Sequence, residues 1–168
     1  MNIQIRAMLP EDIVALHEEF LHQGWNKPIA LFEQYYIEQK ENNRKVYVAV
    51  SGKQQLGYAT LLKQDISGPF CRKKIPVVYD FNVLEKYQRH GIGSLILDEI
   101  EMSVRHDSDY ICLSVGLHAG YGAAQRLYVK RGYIPDGSGV WYNDKPLGQN
   151  EICRNDDELV LYLWKKLN

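Results

Sequence analysis

The chain has 168 residues, of which 45% are hydrophobic and 24% are charged, and its formal net charge is −1 at pH 7. This length suffices for one domain with a substantial core and is short for two, so we expect a single domain over residues 1–168. The near-neutral charge argues against nucleic acid as a partner, because proteins that bind it carry a basic excess.

Cysteine spacing and hydropathy exclude further classes of protein. The three cysteines are far apart and form no CxxC pair or Cys/His ligand pattern, so we expect neither a disulfide framework nor a metal site. Cys112 lies in an apolar stretch and is predicted to be a core residue. Because no apolar run reaches membrane length and no basic-then-apolar leader occurs, we expect a cytoplasmic protein that does not bind a membrane.

The first third of the chain predicts two helices and a hairpin. A short alternating strand near residues 3–7 precedes a helix that Pro10 opens, and a second helix is predicted over residues 29–40. Strands at residues 46–50 and 56–62 then form a hairpin.

The middle of the chain alternates between strands and helices. The apolar run at residues 77–83 predicts a strand with both faces covered, and the helix after it buries an apolar face that includes Leu95. The next strand, at residues 110–115, follows a crossover, so these two strands should be parallel neighbours.

The last part of the chain predicts one more crossover helix, roughly at residues 121–130, and two further strands. Gly132 suits a left-handed C-terminal cap of that helix. Residues 140–142 predict a short strand, residues 143–155 a polar loop and residues 159–164 a closing strand. The chain is therefore predicted to be a single α/β domain with a mixed sheet.

A short basic glycine loop stands between the central strand and the helix that follows it. It comprises Gln88, Arg89, His90, Gly91, Ile92, Gly93 and Ser94. A strand, a glycine turn and a helix N-terminus together present free backbone N–H groups to an anion. The loop lacks the Gly-Lys-Ser/Thr of a P-loop and the first-strand setting of a dinucleotide fingerprint. The pattern predicts a phosphate site, with a tight turn that binds no ligand as the alternative.

The second candidate element is the run AAQRLYVKRGY at residues 123–133. On a helix, Ala124, Leu127, Tyr128 and Arg131 share one broad face. A tyrosine phenol, with a pKa of about 10 in water, is able to donate a proton to a departing thiolate with a pKa of about 8.5. The alternative for Tyr128 is a core tyrosine with its hydroxyl at the rim.

The order apolar strand, QxxGxG, amphipathic helix, strand and AxxLYxKxGY resembles the GNAT superfamily of N-acetyltransferases over nearly the whole chain. The run GYGAAQRLYVKRGYIPDGSGV is similar to small bacterial members in particular. The resemblance implies an α/β fold whose twisted, mixed sheet is mostly antiparallel, with a splayed parallel central strand pair flanked by helices. It also implies an N-acetyltransferase that uses acetyl-CoA (coenzyme A) as co-substrate and no metal.

The resemblance assigns roles to particular residues. Phe81, Asn82 and Val83 would offer backbone groups to the thioester carbonyl and the pantetheine amides. The backbone N–H of Val83 would polarise that carbonyl. Residues 88–94 would hold the pyrophosphate, and Tyr128 would protonate the coenzyme A thiolate.

Two positions depart from the family's pattern. An asparagine often contacts the cofactor where this chain has Tyr121, and a frequent carboxylate position falls near Val77. Asp80 is the alternative carboxylate on that strand, although aspartate is disfavoured inside strands. We interpret Asp80 either as the group that deprotonates the acceptor amine, directly or through water, or as a hydrogen-bonded structural carboxylate.

The acceptor is expected beside the first two helices and the late loops. The residues expected to line this side are Trp25, Asn26, Lys27, Tyr35, Tyr36, His118, Trp141 and Tyr142. Aromatic residues with few acidic groups favour a small-molecule amine or a peptide terminus over a polycation, although the same aromatic residues would also suit a core.

The leading hypothesis is direct acetyl transfer to a primary amine in a ternary complex, because no cysteine is placed for a covalent acetyl intermediate. The rival from another class is a non-catalytic acyl-CoA-binding or sensor module that keeps the cofactor cleft. A homodimer formed through the late strand also stays open.

Overall fold

The computed structural model describes residues 2–168. Its helices and strands match the predicted order. In chain order they are β1 (Gln4–Ala7), α1 (Pro10–His22), α2 (Ile29–Lys40), β2 (Arg44–Ser51), β3 (Gln54–Leu62), β4 (Val77–Val83), α3 (Ile92–Val104), β5 (Tyr110–Gly116), α4 (Gly122–Lys130), β6 (Ile134–Tyr142), β7 (Lys145–Pro146) and β8 (Leu159–Lys166).

The strands are hydrogen-bonded in the order β1-β2-β3-β4-β5-β8-β6-β7. The pairs β1–β2, β2–β3, β5–β8, β6–β8 and β6–β7 are antiparallel, whereas β4 and β5 are parallel. In the parallel pair, register partners occur only at Val77 and Val78 of β4. The predicted fold class, a mixed and mostly antiparallel sheet with one parallel central pair and flanking helices, is confirmed.

The chain divides into two compact units that alternate along the sequence. The first contains the residues up to Leu62 together with Tyr79–Ser103, and the second contains Lys63–Val78 together with Val104–Asn168. The prediction of a single domain over residues 1–168 stays a prediction.

The first unit is built on the β1–β2–β3 meander, against which α1 and α2 pack. Pro10 opens α1, and the buried Asp12 in its first turn accepts a hydrogen bond from the backbone N–H of Leu9 at 2.8 Å. The core between the helices and the strands consists of Met8, Leu16, Phe20, Phe32, Tyr35, Val46, Val48, Val50, Tyr58 and Leu84.

In the second unit, β8 lies between β5 and β6 and pairs with both. Its core includes Phe70, whose ring packs against Tyr162 and Trp164, while Trp164 also stacks on Tyr110 at a centroid distance of 4.9 Å. Because β8 is hydrogen-bonded on both sides, its edges are not available to a second copy of the chain, which was the predicted route to a homodimer.

The late strands differ from the prediction. Strand β6 begins at Ile134 instead of residue 140, and β7 lies inside the predicted loop. The turn residues Gly137 and Gly139, with φ of 89° and 82°, produce an irregularity between Pro135 and Val140 in the pairing with β8. The glycines therefore mark a bulge within a strand and not the boundary of one.

Two predictions of burial were wrong. Leu95 of α3 is 39% exposed, because the buried stripe of that helix runs through Ile92, Ile96 and Ile100 at four-residue spacing and Leu95 flanks it. In β4 only Val77 and Val78 are buried, and Tyr79 is 40% exposed. The strand is therefore not covered on both faces beyond Val78.

Within residues 2–168, no helix is both long and apolar enough to cross a membrane.

Gly57 in β3 lies where the backbone of β4 approaches most closely. A Cβ atom at Gly57 would lie 2.5 Å from the carbonyl oxygen of Asn82 and 2.8 Å from the Cα of Val83. We expect Gly57→Ala to lower the free energy of unfolding by about 1–3 kcal/mol, because two backbone segments must move apart. Urea unfolding measures the change.

The matched control is Gly122→Ala, since no atom lies within 4 Å of the added Cβ there. That substitution should leave stability unchanged or raise it by up to about 1 kcal/mol. Equal losses in the two variants would contradict the close approach at Gly57.

Candidate active site

The glycine loop is exposed and takes left-handed backbone conformations at two positions. Arg89 has φ of 64° and Gly91 has φ of 79°, and residues 88–91 are all exposed. The His90 ring nitrogen Nδ1 lies 2.8 Å from the carbonyl oxygen of Gln88, and the Gln88 side-chain amide donates to the carbonyl of Val83 at 3.1 Å. These contacts hold the loop against the end of β4.

Helix α3 begins directly after the loop, at Ile92. Ile92 is buried, while Gly93 and Ser94 are half-buried. The first N–H groups of a helix have no acceptor within it, and the helix dipole favours negative charge there. The first turn of α3 contains no acidic residue. The predicted phosphate site therefore has the local geometry that an anion requires.

The strand segment before the loop is half-buried at Phe81, Asn82 and Val83. Its backbone lies against Gly57, and the Leu84 N–H donates to the carbonyl of Leu56 at 3.0 Å. The absence of a side chain at Gly57 permits this approach. The segment belongs to the same unit as the glycine loop.

Asp80 is the centre of a hydrogen-bond network on β4. One carboxylate oxygen accepts from Nζ of Lys27 at 2.8 Å and from the side-chain amide of Asn82 at 2.7 Å. The other accepts from the hydroxyl of Tyr35 at 3.0 Å and, in a short hydrogen bond, from the hydroxyl of Tyr58. Four donors, one of them charged, therefore surround one carboxylate.

The two phenols in this network remain protonated at neutral pH. Burial raises the pKa of Tyr35, and the negative charge of Asp80 raises it further. Burial and the negative charge of Asp80 also raise the pKa of Tyr58. Since a protonated phenol donates and a phenolate does not, both hydroxyls stay hydrogen-bond donors to Asp80.

The backbone at Asp80 is left-handed, with φ of 47°. Aspartate and asparagine tolerate this conformation better than other non-glycine residues. An aspartate suits this position in the strand for two reasons. Its backbone turns the strand locally, and its carboxylate accepts hydrogen bonds from α2 and β3. The network supports the structural interpretation of Asp80, and its role in deprotonating an amine stays a prediction.

Tyr128 belongs to the second unit and lies in α4. It is 5% exposed, and its ring packs against Tyr133 at a centroid distance of 5.9 Å. Gly132, with φ of 87°, ends the helix as predicted, and the Tyr133 N–H donates to the Tyr128 carbonyl at 3.0 Å. Burial raises the pKa of Tyr128, so the phenol keeps its proton at neutral pH.

Tyr121, the departure from the family's asparagine, is engaged within the second unit. Its hydroxyl donates to the Asp157 carboxylate at 3.0 Å, and His118 Nε2 lies 2.9 Å from the same oxygen. A Cβ on Gly116 would lie 2.3 Å from the Tyr121 ring, so Gly116 makes room for that ring. His118 and Tyr121 therefore share one carboxylate within the second unit.

The residues expected to line the acceptor side fall into both units. In the first unit, Trp25 stacks on Phe20 at 6.0 Å, while Lys27 and Tyr35 contact Asp80. In the second unit, Trp141 packs edge-on against Tyr162 at 5.4 Å. The first group therefore combines aromatic rings with a carboxylate.

Cys112 is a core residue, as predicted. It is fully buried, its thiol contacts the carbonyl of Pro76 at 3.6 Å, and burial raises the pKa of that thiol. A protonated, buried thiol is not a nucleophile. In the part of the chain that the structure describes, no group of three or more His, Cys, Asp or Glu side chains is arranged to hold a metal ion.

Sequence reasoning did not identify Tyr58, Gly57 or the pairing of Lys27 with Asp80. Lys27 precedes Asp80 by 53 residues and Tyr58 precedes it by 22, so no local spacing indicates either contact. The available signal was the aspartate itself, a charged residue in a mostly apolar strand.

The comparisons with known proteins identify the family and the fold. A family model described as "Acetyltransferase (GNAT) domain" matches residues 42–135, which is more than half of the chain. The chain therefore belongs to the GNAT acetyltransferase family. A search of curated proteins gives no significant match.

Solved structures of the same fold span the chain. An N-acetyltransferase from Staphylococcus aureus Mu50 aligns over 100% of both chains with a TM-score of 0.74 and 14% identity. The ribosomal L7/L12 alpha-N-protein acetyltransferase RimL aligns over 99% of this chain and 94% of its own, with a TM-score of 0.71 and 15% identity. A chimera of spermidine N-acetyltransferase SpeG from Vibrio cholerae and hSSAT aligns over 99% of this chain and 96% of its own, with a TM-score of 0.70 and 15% identity. At these identities the likeness establishes the fold.

The network around Asp80 makes a prediction about stability. Tyr58→Phe removes a buried hydroxyl that donates to Asp80, so a half-buried carboxylate loses one of its four donors. We expect the free energy of unfolding to fall by about 1–3 kcal/mol. Urea denaturation monitored by tryptophan fluorescence measures it.

Tyr142→Phe is the matched control, because its hydroxyl makes a long 3.4 Å hydrogen bond to Asp156 in a half-buried position. That substitution should change the free energy of unfolding by no more than about 0.5 kcal/mol. If Tyr58→Phe were as mild as the control, the hydroxyl would contribute nothing measurable to the network.

Proposed function

We propose that the chain transfers an acetyl group from acetyl-CoA to a primary amine by direct attack in a ternary complex. The observation that carries this proposal is the exposed, left-handed glycine loop between β4 and the N-terminus of α3, within a GNAT acetyltransferase domain. The acceptor is a small molecule or a peptide, and no metal takes part. We propose a cytoplasmic location for the reaction.

The residues of the first unit suit coenzyme A. The backbone N–H groups of residues 88–94 would hold its pyrophosphate, assisted by the exposed side chains of Arg89 and His90. Phe81 and Asn82 would offer backbone groups to the pantetheine amides, and the backbone N–H of Val83 would polarise the thioester carbonyl. Acetyl-CoA supplies an acetyl group that the thioester activates toward an amine.

Two side chains would move protons. Tyr128 would donate its phenolic proton to the coenzyme A thiolate as the thiolate leaves, and its raised pKa keeps that proton available at neutral pH. Asp80 would accept the proton that the attacking ammonium group must lose, directly or through water. For that step the four donors around its carboxylate must rearrange.

A primary amine as acceptor is supported by the chemistry beside Asp80. The structure already holds one primary ammonium group there, that of Lys27. The solved relatives named above act, by their names, on a ribosomal protein N-terminus and on spermidine, which are both amines. We therefore propose the amine class without choosing between a small molecule and a peptide.

Gly93→Glu tests the phosphate site. A glutamate in the first turn of α3 places bulk and negative charge beside the proposed pyrophosphate position, so binding of acetyl-CoA should fall below detection in calorimetry. Gly93 is preferable to Gly91 for this test, because Gly91 has positive φ and any substitution there also strains the loop.

Gly93→Ala is the control for Gly93→Glu and should retain measurable binding. Circular dichroism of both variants verifies that the fold is intact. Undiminished acetyl-CoA affinity in Gly93→Glu would refute the proposed site.

Tyr128→Phe tests the proton donor. We expect turnover to fall by roughly ten- to ten-thousand-fold with acetyl-CoA binding retained, because the phenol acts only when the thiolate leaves. Since the pKa of Tyr128 is raised, the wild-type rate should not decline through loss of this proton below about pH 10. Thiol release in the presence of an amine panel measures both the turnover and its pH dependence, and Tyr110→Phe, at the start of β5, should keep the wild-type rate.

The same assay separates the enzyme from the rival function. If the protein binds acetyl-CoA while no amine, amino acid or peptide increases thiol release, a non-catalytic acyl-CoA-binding or sensor module becomes the better description. Acceptor-dependent thiol release excludes that module.

A further inference from the structure

Lys27 lies in an environment built to hold a primary ammonium group. Its Nζ is 2.8 Å from the Asp80 carboxylate and lies 5.6 Å and 5.5 Å from the ring centroids of Phe20 and Tyr58. A carboxylate together with aromatic faces is the combination that binds ammonium groups in proteins. We call the set of Asp80, Phe20 and Tyr58 the ammonium cage.

The ammonium cage is partly shielded from water. The side chains of Lys27 and Asp80 are 18% and 16% exposed, and Phe20 and Tyr58 are fully buried. The carboxylate is held in place by the hydroxyls of Tyr35 and Tyr58 and by the amide of Asn82. The position of Nζ is therefore defined by several contacts, which is unlike a lysine on an open surface.

The cage adjoins the strand segment that we propose for the thioester. Asp80 directly precedes Phe81, Asn82 and Val83 in β4, and all of these residues belong to the first unit. A primary amine held on Asp80 thus lies on the same strand as Val83, whose backbone N–H we propose for the thioester carbonyl, three residues further along. This places the amine on the strand proposed to position the acetyl group.

The segment that carries Lys27 is short and lies between two helices. Lys27 follows the end of α1 and precedes α2, and its backbone carbonyl lies 2.7 Å from Nδ1 of His17. The backbone is held by this contact, whereas four side-chain torsions lie between Cα and Nζ. The ammonium group can move along the cage while the chain trace stays in place.

We propose that Lys27 is a self-acetylation site: its Nζ occupies the position of the acceptor amine and is acetylated by acetyl-CoA bound to the same chain. This inference rests on the proposed function. It adds a modification site to that function.

The chemistry of the step balances without a further reactant. The Lys27 ammonium loses a proton to Asp80 and from there to water, which frees the nitrogen lone pair. The N–C bond to the acetyl carbon forms and the C–S bond breaks, so the products are acetyl-lysine and coenzyme A. The leaving thiolate takes up one proton, supplied in our proposal by Tyr128. The second proton that the nitrogen loses on becoming an amide returns through water to Tyr128, so the net reaction releases acetyl-lysine, coenzyme A and one proton to water.

The test compares two acetyl donors by peptide mapping in the mass spectrometer. With acetyl-CoA, Lys27 should be acetylated at least about ten times faster than the exposed Lys53, because the reacting groups are held together. With N-hydroxysuccinimidyl acetate, which reacts with any accessible amine, Lys53 should react faster than Lys27, because Lys27 is ion-paired and mostly buried. Faster acetylation of Lys27 than of Lys53 by acetyl-CoA, together with the reverse order for N-hydroxysuccinimidyl acetate, would indicate acetylation within the site.

Variants assign the effect to the cage. Asp80→Asn keeps the side-chain shape and tolerates positive φ, and it should slow acetylation of Lys27 by acetyl-CoA at least about tenfold. Asp107→Asn, which changes an exposed carboxylate in the turn after α3, should leave it unchanged. Lys27→Arg keeps the positive charge beside Asp80 and should remove the mass increase from that peptide.

Several results would overturn the inference. These are equal Lys27-to-Lys53 ratios with the two donors, unchanged or faster labelling in Asp80→Asn, and an observed first-order rate constant of Lys27 acetylation that rises in proportion to protein concentration. The donor comparison uses the wild-type chain, so it remains decisive even where a variant fails to fold.

Thiol release with an amine panel, measured on the same preparation, distinguishes this failure from failure of the proposed function. Turnover of an added amine without acetylation of Lys27 overturns the self-acetylation site and leaves the acetyltransferase intact. Absence of acetyl-CoA binding overturns both.

Discussion

The carboxylate of Asp80 is the constraint on which the first unit depends. A charged group inside a strand has to be compensated, and here Lys27, Tyr35, Tyr58 and Asn82 all donate to it. The donors come from the segment after α1, from α2, from β3 and from β4 itself. One half-buried charge therefore connects the segment after α1, helix α2 and strand β3 to the strand that precedes the glycine loop.

The hydrogen-bonded Asp80 directly precedes the strand segment that we propose for the thioester. The left-handed backbone at Asp80 interrupts β4 just before Phe81–Val83, the segment whose backbone groups we propose for the thioester. Gly57 allows that segment to approach β3, and Gln88 hydrogen-bonds the loop to Val83. The carboxylate, the strand segment and the helix N-terminus are thus positioned by one continuous set of contacts. A substitution at any of them should therefore alter the positions of the others.

The fold was predictable from the sequence and the phosphate loop is proposed from it, because the signals of both are local. Alternating apolar residues, the run from Gln88 to Gly93 and the cap at Gly132 each act within a few residues along the chain. The exposure of Tyr79 and Leu95 was not predictable, since it depends on what other elements cover. The extent of β6 was missed because Gly137 and Gly139 form a bulge, and a bulge and a turn share the same residues.

The sequence by itself determined the family and the order of elements. It also predicts which residues would bind coenzyme A, because backbone-based anion binding needs only a glycine turn and a helix start. Tertiary structure alone decided the surroundings of Asp80. Its partners Lys27 and Tyr58 lie 53 and 22 residues away, and each becomes a neighbour only after α1 and β3 have packed. A hydrogen bond between distant residues has no periodicity in the sequence, whereas a helix face or a strand does. For this reason the donor side of the proposed reaction follows from the sequence, and the ammonium group beside Asp80 follows only from the fold.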